Sequence, residues 1–189
     1  MRLGLFGGTF DPPHVGHFLA AVDAFEALSL DRLIFIPAAV QPLKAGQVTT
    51  GAEARLSMVE LLAAGDPRFG VDPIEIARTG LSYTVDTLRS YAEREPDAER
   101  FLLVGADVLA SFDRWREPAE VQRLARLAIL TRVGEGRPPA LPEGSRALET
   151  RRVDVSSTEV RARVRAGKSI RGFVPEAVAE YIASAGLYR

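Results

Sequence analysis

Short apolar runs alternate with segments of helical periodicity along the chain, and this alternation limits the possible folds more than any other feature. The apolar runs predict buried strands at residues 3–6, 32–37, 69–72, 101–104, 127–131 and 150–155. The periodic segments predict helices at residues 15–29, 52–64, 84–94, 119–125, 156–165 and 175–185. Strands that are apolar throughout are typical of a parallel sheet covered on both faces. The expected fold is therefore α/β, a single Rossmann-like, doubly wound domain with a mostly parallel central sheet.

Length and composition exclude several classes of protein. The 189 residues suit one domain over 1–189, whose C-terminal helical part begins at about residue 156. The formal net charge of −1 provides no basic field for nucleic acid, and no apolar stretch approaches the roughly 20 residues of a membrane span. The absence of cysteine excludes disulfides and thiolate chemistry. We expect a cytoplasmic protein without a signal peptide that binds neither nucleic acid nor membranes, and the sequence leaves a homo-oligomer open.

The first predicted strand runs directly into two glycines, and the next helix begins near two histidines. Gly7 and Gly8 allow unusual backbone dihedrals and the close approach of a ligand. His14 and His17, the only histidines of the chain, are three residues apart and so share one face of a helix. A helix N-terminus attracts phosphate, and histidines there would add hydrogen-bond donors or, if protonated, positive charge. The stretch predicts a nucleotide phosphate-binding site.

Two other interpretations of this stretch are open. The histidine pair could ligate a metal ion with Asp11 as a third ligand, or both histidines could be ordinary surface residues. Zinc sites usually use more ligands or cysteines, and the chain has no cysteine. We therefore expect no dedicated metal site made by the protein, and the glycine turn beside the histidines disfavours a mere surface pair.

A second candidate anion site lies at residues 156–161. Ser156 can cap a helix, and Glu159 three residues later completes a capping-box pattern. The same hydroxyls and N–H groups, with Arg161 one turn inside the helix, could bind a phosphate group. Taken alone, this segment supports a capped helix and an anion site equally.

Residues 7–17, Gly-Gly-Thr-Phe-Asp-Pro-Pro-His-Val-Gly-His, and residues 156–161, Ser-Ser-Thr-Glu-Val-Arg, together resemble the nucleotidyltransferase superfamily that carries the His-x-Gly-His signature. Three further stretches are similar to the bacterial nicotinate mononucleotide adenylyltransferases of that superfamily. They are residues 75–88, with Ser82-Tyr83-Thr84, residues 104–115, with Gly105, Asp107 and Trp115, and residues 174–188. The likeness runs nearly from end to end. The His-x-Gly-His and Ser-Thr-Glu-x-Arg motifs identify only the superfamily. The Ser82-Tyr83-Thr84 motif and the motif of Gly105, Asp107 and Trp115 are more specific.

The resemblance implies an enzyme of NAD biosynthesis that transfers AMP from ATP to nicotinate mononucleotide, giving deamido-NAD and pyrophosphate. It assigns His14, His17 and Arg161 to catalysis. It assigns the binding of the ATP phosphates to Gly7, Gly8, Thr9, Phe10, Ser156, Ser157 and Thr158. Mg²⁺ would be held by ATP phosphates and water. The attacking group would be an anionic phosphate oxygen, so the reaction needs alignment and charge stabilisation, and no protein nucleophile.

The resemblance also implies an acceptor site. Trp115, the only tryptophan, would stack on the cationic pyridine ring. Thr84 would offer its N–H to the nicotinate carboxylate, or would simply cap a helix. Gly105 and Asp107 would meet ribose hydroxyls. Lys44 would reach the mononucleotide phosphate, although Leu43 precedes it where the family commonly has histidine.

Other activities remain open for the sequence. The same chemistry could act on nicotinamide mononucleotide, which differs by an amide in place of the carboxylate. It could act on phosphopantetheine, although that branch usually carries threonine where this chain has His14. The same fold could also serve a non-catalytic nucleotide-binding domain, although such a domain has no need for charge-stabilising groups at the reacting phosphate.

Overall fold

The structure is a computed structural model that describes residues 1–42, 50–78, 80–134 and 141–189. Its strands are β1 Arg2–Gly8, β2 Arg32–Pro37, β3 Phe69–Val71, β4 Glu99–Gly105, β5 Arg126–Arg132 and β6 Arg146–Thr150. Its helices are α1 Val15–Ala27, α2 Ala52–Ala63, α3 Ile74–Arg78, α4 Thr84–Arg94, α5 Ala106–Leu109, α6 Pro118–Leu124, α7 Ser157–Arg165 and α8 Glu176–Ser184. A 3₁₀ turn, Phe112–Arg114, precedes α6. The strand and helix alternation confirms the predicted α/β class.

The six described strands form one sheet in the order β3-β2-β1-β4-β5-β6, and every pairing is parallel. The order reverses between β1 and β4, where Leu5 pairs with Ile34 on one side and Leu102 on the other. In sheets of this kind a crevice opens at the carboxyl ends of the strands beside the reversal. β1 extends beyond its predicted end at residue 6, because Gly7 and Gly8 pair with Ile36 and Pro37 of β2. These glycines and Gly105, the last residue of β4, therefore lie at the carboxyl ends of neighbouring strands.

Apolar side chains cover both faces of the sheet, as the uninterrupted apolar strands require. One core cluster joins the sheet to α4 and α6, and a second joins it to α1 and α2. A third, smaller cluster holds the C-terminal helices α7 and α8 against α2, with Met58, Val160 and Val178 among its fully buried members. No helix in the described ranges is long and apolar enough to cross a membrane.

The strand predicted at 150–155 is wrong. The last strand is β6, Arg146–Thr150, which pairs with β5 so that Thr131 lies opposite Glu149. The chain leaves the sheet after Thr150, where the Arg151 N–H donates to Asp23 Oδ2 at 2.8 Å. Both exposed positions of this short strand are charged, so β6 has little apolar signal of its own. Its bounds are therefore set by the pairing with β5.

Helices α3 and α5 were not predicted, since four or five residues are too few to show helical periodicity. The loops predicted at 38–50 and 134–144 fall partly outside the described residues, at 43–49 and 135–140.

Candidate functional site

A cavity of about 850 Å³ opens at the carboxyl ends of the strands. We call one end the histidine half, formed by the β1–α1 segment 7–17 and the start of α7. We call the other the tryptophan half, formed by the start of α4, the turn after β4 and Trp115. The structure brings to this cavity Gly7, Gly8, Thr9, Phe10, His14, His17, Thr84, Gly105, Asp107, Trp115, Ser156, Ser157, Thr158 and Arg161. Lys44 lies outside the described residues.

The two histidines form a reciprocal cap at the start of α1. The Gly16 N–H donates to His14 Nδ1 at 3.1 Å, and the His14 N–H donates to His17 Nδ1 at 3.2 Å. Each Nδ1 is thus an acceptor, so each neutral ring carries its proton on Nε2. The helix cap fixes both rings and assigns Nε2–H as the donor that each has left for a ligand.

Both rings are held in the neutral form. Burial, assisted by the positive charge of Arg132, lowers the pKa of His14 to about 4. Burial, assisted by His14, also lowers the pKa of His17 well below its ordinary value. The sequence predicted hydrogen-bond donors or cations, and this geometry favours neutral donors until an anion binds and raises both pKa values.

Two glycines of this segment are required by aromatic rings. A Cβ on Gly16 would lie 3.0 Å from His14 Nδ1 and Cε1, so a side chain there would crowd the capping ring. A Cβ on Gly8 would lie 2.9 Å from Cζ of Phe10, whose φ is 50°. Close packing against the His14 ring is therefore one reason for a glycine at position 16. The close approach of a ligand would be a second reason.

The start of α7 is both a helix cap and part of the cavity wall. Ser156 Oγ accepts from the Glu159 N–H at 3.1 Å, while the reciprocal Glu159 bond of a capping box is not formed among the described residues. Ser157 Oγ donates to the Pro12 carbonyl at 2.8 Å. Arg161 Nη1 donates to the Asp11 carbonyl at 2.6 Å. These contacts fix the two predicted anion-binding segments relative to each other.

The start of α4 faces the tryptophan half. Tyr83, and not Thr84, is the N-cap residue, and it makes no side-chain capping bond. The interpretation of Thr84 as a simple cap is therefore wrong, and no side chain of the described residues accepts from the N–H groups of the first turn. Trp115 closes the 3₁₀ turn, with its ring centroid 5.3 Å from that of Phe112. Gly105 leaves room for Asp107, whose Oδ1 would lie 2.5 Å from a Cβ there.

Sequence reasoning missed a buried polar network beneath the start of α4. Thr87 Oγ1 donates to Glu75 Oε1 at 2.7 Å and accepts from Arg78 Nη2 at 2.9 Å. The Ser82 hydroxyl also donates to Glu75 and accepts from the Ala39 N–H at 2.9 Å. Burial raises the pKa of Glu75 in spite of these donors. The network joins the first turn of α4, through Thr87, to α3 and to the residues that precede α4.

Two arginines of the cavity wall were also missed. Arg132 ends β5 and lines the cavity. Its position at the carboxyl end of a predicted strand was the available signal. The Arg116 guanidinium lies 4.8 Å from the centre of the Tyr83 ring and 3.6 Å from Asp86 Oδ2. Its charge is offset by Asp86 and by Glu117, whose Oε1 lies 3.7 Å from Arg116 Nε.

A doubly wound sheet with neutral imidazole donors, an arginine and the N-termini of α1, α4 and α7 around one crevice fits a nucleotidyltransferase-type site. The sequence model of the cytidylyltransferase-like family matches residues 5–163. The chain belongs to this family and, within it, to the nicotinate-nucleotide adenylyltransferases. This membership confirms the resemblance found in the sequence.

The relatives cover the whole chain. A probable nicotinate-nucleotide adenylyltransferase of Gemmatimonas aurantiaca is 54% identical over 100% of this chain and 93% of its own length. The corresponding protein of Thermus thermophilus is 45% identical, with 100% of both chains covered. The solved structure of Plasmodium falciparum nicotinic acid mononucleotide adenylyltransferase complexed with NaAD matches with a TM-score of 0.79 at 15% identity, covering 99% of this chain and 97% of its own. At that identity the structural match speaks for the fold.

Proposed function

We propose that this enzyme transfers AMP from ATP to nicotinate mononucleotide and releases pyrophosphate, with the residues of the cavity in the roles given below. The observation that carries the proposal is one cavity with two different ends. The histidine half offers fixed neutral N–H donors and Arg161. The tryptophan half offers an aromatic face beside a helix N-terminus without a side-chain cap. A polyphosphate suits the first and an anionic pyridine nucleotide suits the second.

The histidine half serves the phosphoryl centre. A phosphate oxygen of the mononucleotide attacks the ATP α-phosphorus, a new O–P bond forms, and the bond to the bridging oxygen of the β-phosphate breaks. Nε2–H of His17 and of His14 donates to the ATP phosphates, with His17 on the group transferred. The attacking oxygen is already anionic, so no general base is needed, and catalysis depends on alignment and charge stabilisation.

The departing pyrophosphate is bound by Arg161, by the hydroxyls of Ser156 and Thr158, and by the main-chain N–H groups of Ser157 and Thr158. The main chain of Gly7, Gly8, Thr9 and Phe10 lines the phosphates. This division of roles is supported by the bonds that join α7 to the β1–α1 segment.

Mg²⁺ would enter with ATP, and the donor chemistry of the histidine half fits a metal held by phosphate oxygens and water. Asp11 is the carboxylate in that half, and both its oxygens accept hydrogen bonds, at 2.6 Å from the Tyr188 hydroxyl and 3.2 Å from the Thr50 N–H. Bound Mg²⁺ would neutralise phosphate charge, and the protein's own residues orient the phosphates.

The tryptophan half serves the acceptor. Trp115 stacks on the pyridine ring, the Thr84 N–H meets the carboxylate, and Gly105 with Asp107 meets the ribose. Lys44 is kept as a proposed ligand of the acceptor phosphate. The N-terminus of α4 favours an anion, and Arg116, 3.6 Å from Asp86 Oδ2, offsets the charge of that carboxylate in the first turn. This supports nicotinate over the neutral amide of nicotinamide.

The test is pyrophosphate release by the purified protein with MgATP and each acceptor. We expect turnover with nicotinate mononucleotide and a specificity constant about tenfold or more above that for nicotinamide mononucleotide. Equal constants would contradict the role of the α4 N-terminus. ATP binding without pyrophosphate release for either acceptor would overturn the proposal, and turnover with phosphopantetheine alone would replace it.

A further inference from the structure

The residues after α8 reach back to the β1–α1 segment. The Tyr188 hydroxyl donates to Asp11 Oδ1 at 2.6 Å across 177 residues of sequence. Tyr188 has a φ of 64°, in the left-handed region that bulky side chains rarely adopt. A residue held in that conformation needs compensating contacts, and the partly buried hydrogen bond to Asp11 is one of them.

Asp11 links Tyr188 to the histidine half through its main chain. Its carbonyl accepts from Arg161 Nη1 at 2.6 Å, and the neighbouring Pro12 carbonyl accepts from Ser157 Oγ at 2.8 Å. Three residues beyond the proline, the Val15 N–H donates to the Phe173 carbonyl at 2.9 Å. The Asp11 carbonyl is thus the shorter of two contacts that hold the guanidinium of Arg161, the other being from Nη2 to Thr158 Oγ1 at 3.3 Å.

Asp11 is also a negative charge in the wall of a cavity proposed to bind polyphosphate. It is only 6% exposed. The Thr50 N–H and the Tyr188 hydroxyl each donate to one oxygen, and the guanidinium of Arg55, which is 1% exposed, interacts favourably with the carboxylate. Burial raises the pKa of Tyr188, so its hydroxyl remains a donor across the physiological range.

We propose that Tyr188 is a positioning residue of the ATP-binding half of the site. Its hydroxyl fixes Asp11, and Asp11 in turn fixes Arg161 and keeps its carboxylate turned away from the phosphates. Loss of the hydroxyl loosens Arg161 and frees the carboxylate, and both changes weaken ATP binding. This inference rests on the proposed function for its location at ATP.

The experiment compares two matched variants. Tyr188→Phe keeps the ring and removes the hydroxyl. Tyr181→Phe is the control, since Tyr181 packs against the same small core cluster and its hydroxyl makes no hydrogen bond within the described part of the chain. For Tyr188→Phe we expect kcat/KM for ATP to fall about tenfold, as for a lost hydrogen bond to a charged group. We expect the KM for nicotinate mononucleotide to change less than about twofold, and Tyr181→Phe to change both constants less than about twofold.

Three outcomes distinguish failure of the Tyr188 inference from failure of the proposed function. ATP constants that are the same in the two variants overturn the inference. An equal loss toward ATP and toward the acceptor, accompanied by a lower melting temperature, also overturns it, because this is the pattern of a purely structural residue. If the wild-type protein releases no pyrophosphate, the proposed function fails, and the affinity of the two variants for MgATP still tests Tyr188.

Discussion

The histidine half and the tryptophan half of the cavity are built in different ways. In the histidine half, main-chain N–H groups fix both imidazoles, and side chains from α7 bond to main-chain carbonyls of the β1–α1 segment. In the tryptophan half, a buried network around Glu75 holds the start of α4 by side-chain hydroxyls. The imidazole donors, fixed by the main chain, are placed to stabilise charge at a reacting phosphate. The start of α4, held by side chains, is placed to select the acceptor.

The largest expected effect is in the histidine half. His17→Ala removes the Nε2–H donor proposed for the transferred phosphate, and we expect kcat to fall about 100- to 1,000-fold with the KM for the acceptor little changed. Steady-state kinetics with both substrates measure this, and circular dichroism checks that the fold is intact. Near-normal turnover would show that the imidazole does not stabilise the transition state.

The next effect belongs to the tryptophan half. Trp115→Ala removes the proposed stacking surface, and we expect kcat/KM for nicotinate mononucleotide to fall about 10- to 100-fold. Trp115→Phe is the control and should recover most of the loss, because it keeps an aromatic face. The comparison fails if Trp115→Ala weakens ATP binding as strongly as acceptor binding.

A smaller effect on acceptor binding tests whether the Glu75 network supports the start of α4. Thr87→Val removes the hydroxyl that donates to Glu75 at similar side-chain volume. We expect the KM for nicotinate mononucleotide to rise about three- to tenfold, with the KM for ATP unchanged. Thr87→Ser restores the hydroxyl and should restore the KM, and an equal defect in both variants would refute the hydrogen-bond explanation.

The smallest effect is on the free energy of unfolding. The pKa shifts of His14 and Glu75, one in each half, make it change with pH in opposite directions. The pKa of His14 is lowered from 6.5 to about 4, so the unfolded chain takes up protons first and stability falls as pH falls through this window. From pH 8 to pH 6 the loss is about 1 kcal/mol, and His14→Gln should reduce it in denaturant titrations. An unchanged pH dependence in this variant would contradict the assignment.

Glu75 has a raised pKa, so it contributes stability below its ordinary value of 4.5, and this contribution is lost as pH rises through the folded-state pKa. Glu75→Gln should therefore make the protein less sensitive to rising pH in the weakly acidic range. If His14→Gln and Glu75→Gln changed the slope of unfolding free energy against pH in the same direction, this contrast between the two halves would be contradicted.

Most of the fold could be predicted because the responsible signals are local. Apolar runs and helical periodicity placed β2 and α4 at their observed bounds. The strand predicted at 150–155 failed because β6 is defined by its pairing with β5 and carries little apolar signal of its own. The spatial order β3-β2-β1-β4-β5-β6 in the sheet then placed the glycines that end β1 and β4 beside each other.

The sequence by itself determined the α/β class, the family and the motif residues that line the cavity, because motif spacing and periodicity are properties of neighbouring residues. Only the tertiary structure decided that the histidines are neutral Nε2–H donors, since burial and main-chain partners set their pKa values and tautomers. The Glu75 network and the bond from Tyr188 to Asp11 were equally hidden. Contacts across 12 or 177 residues of sequence leave no periodic trace, and they exist only once the sheet has brought their elements together.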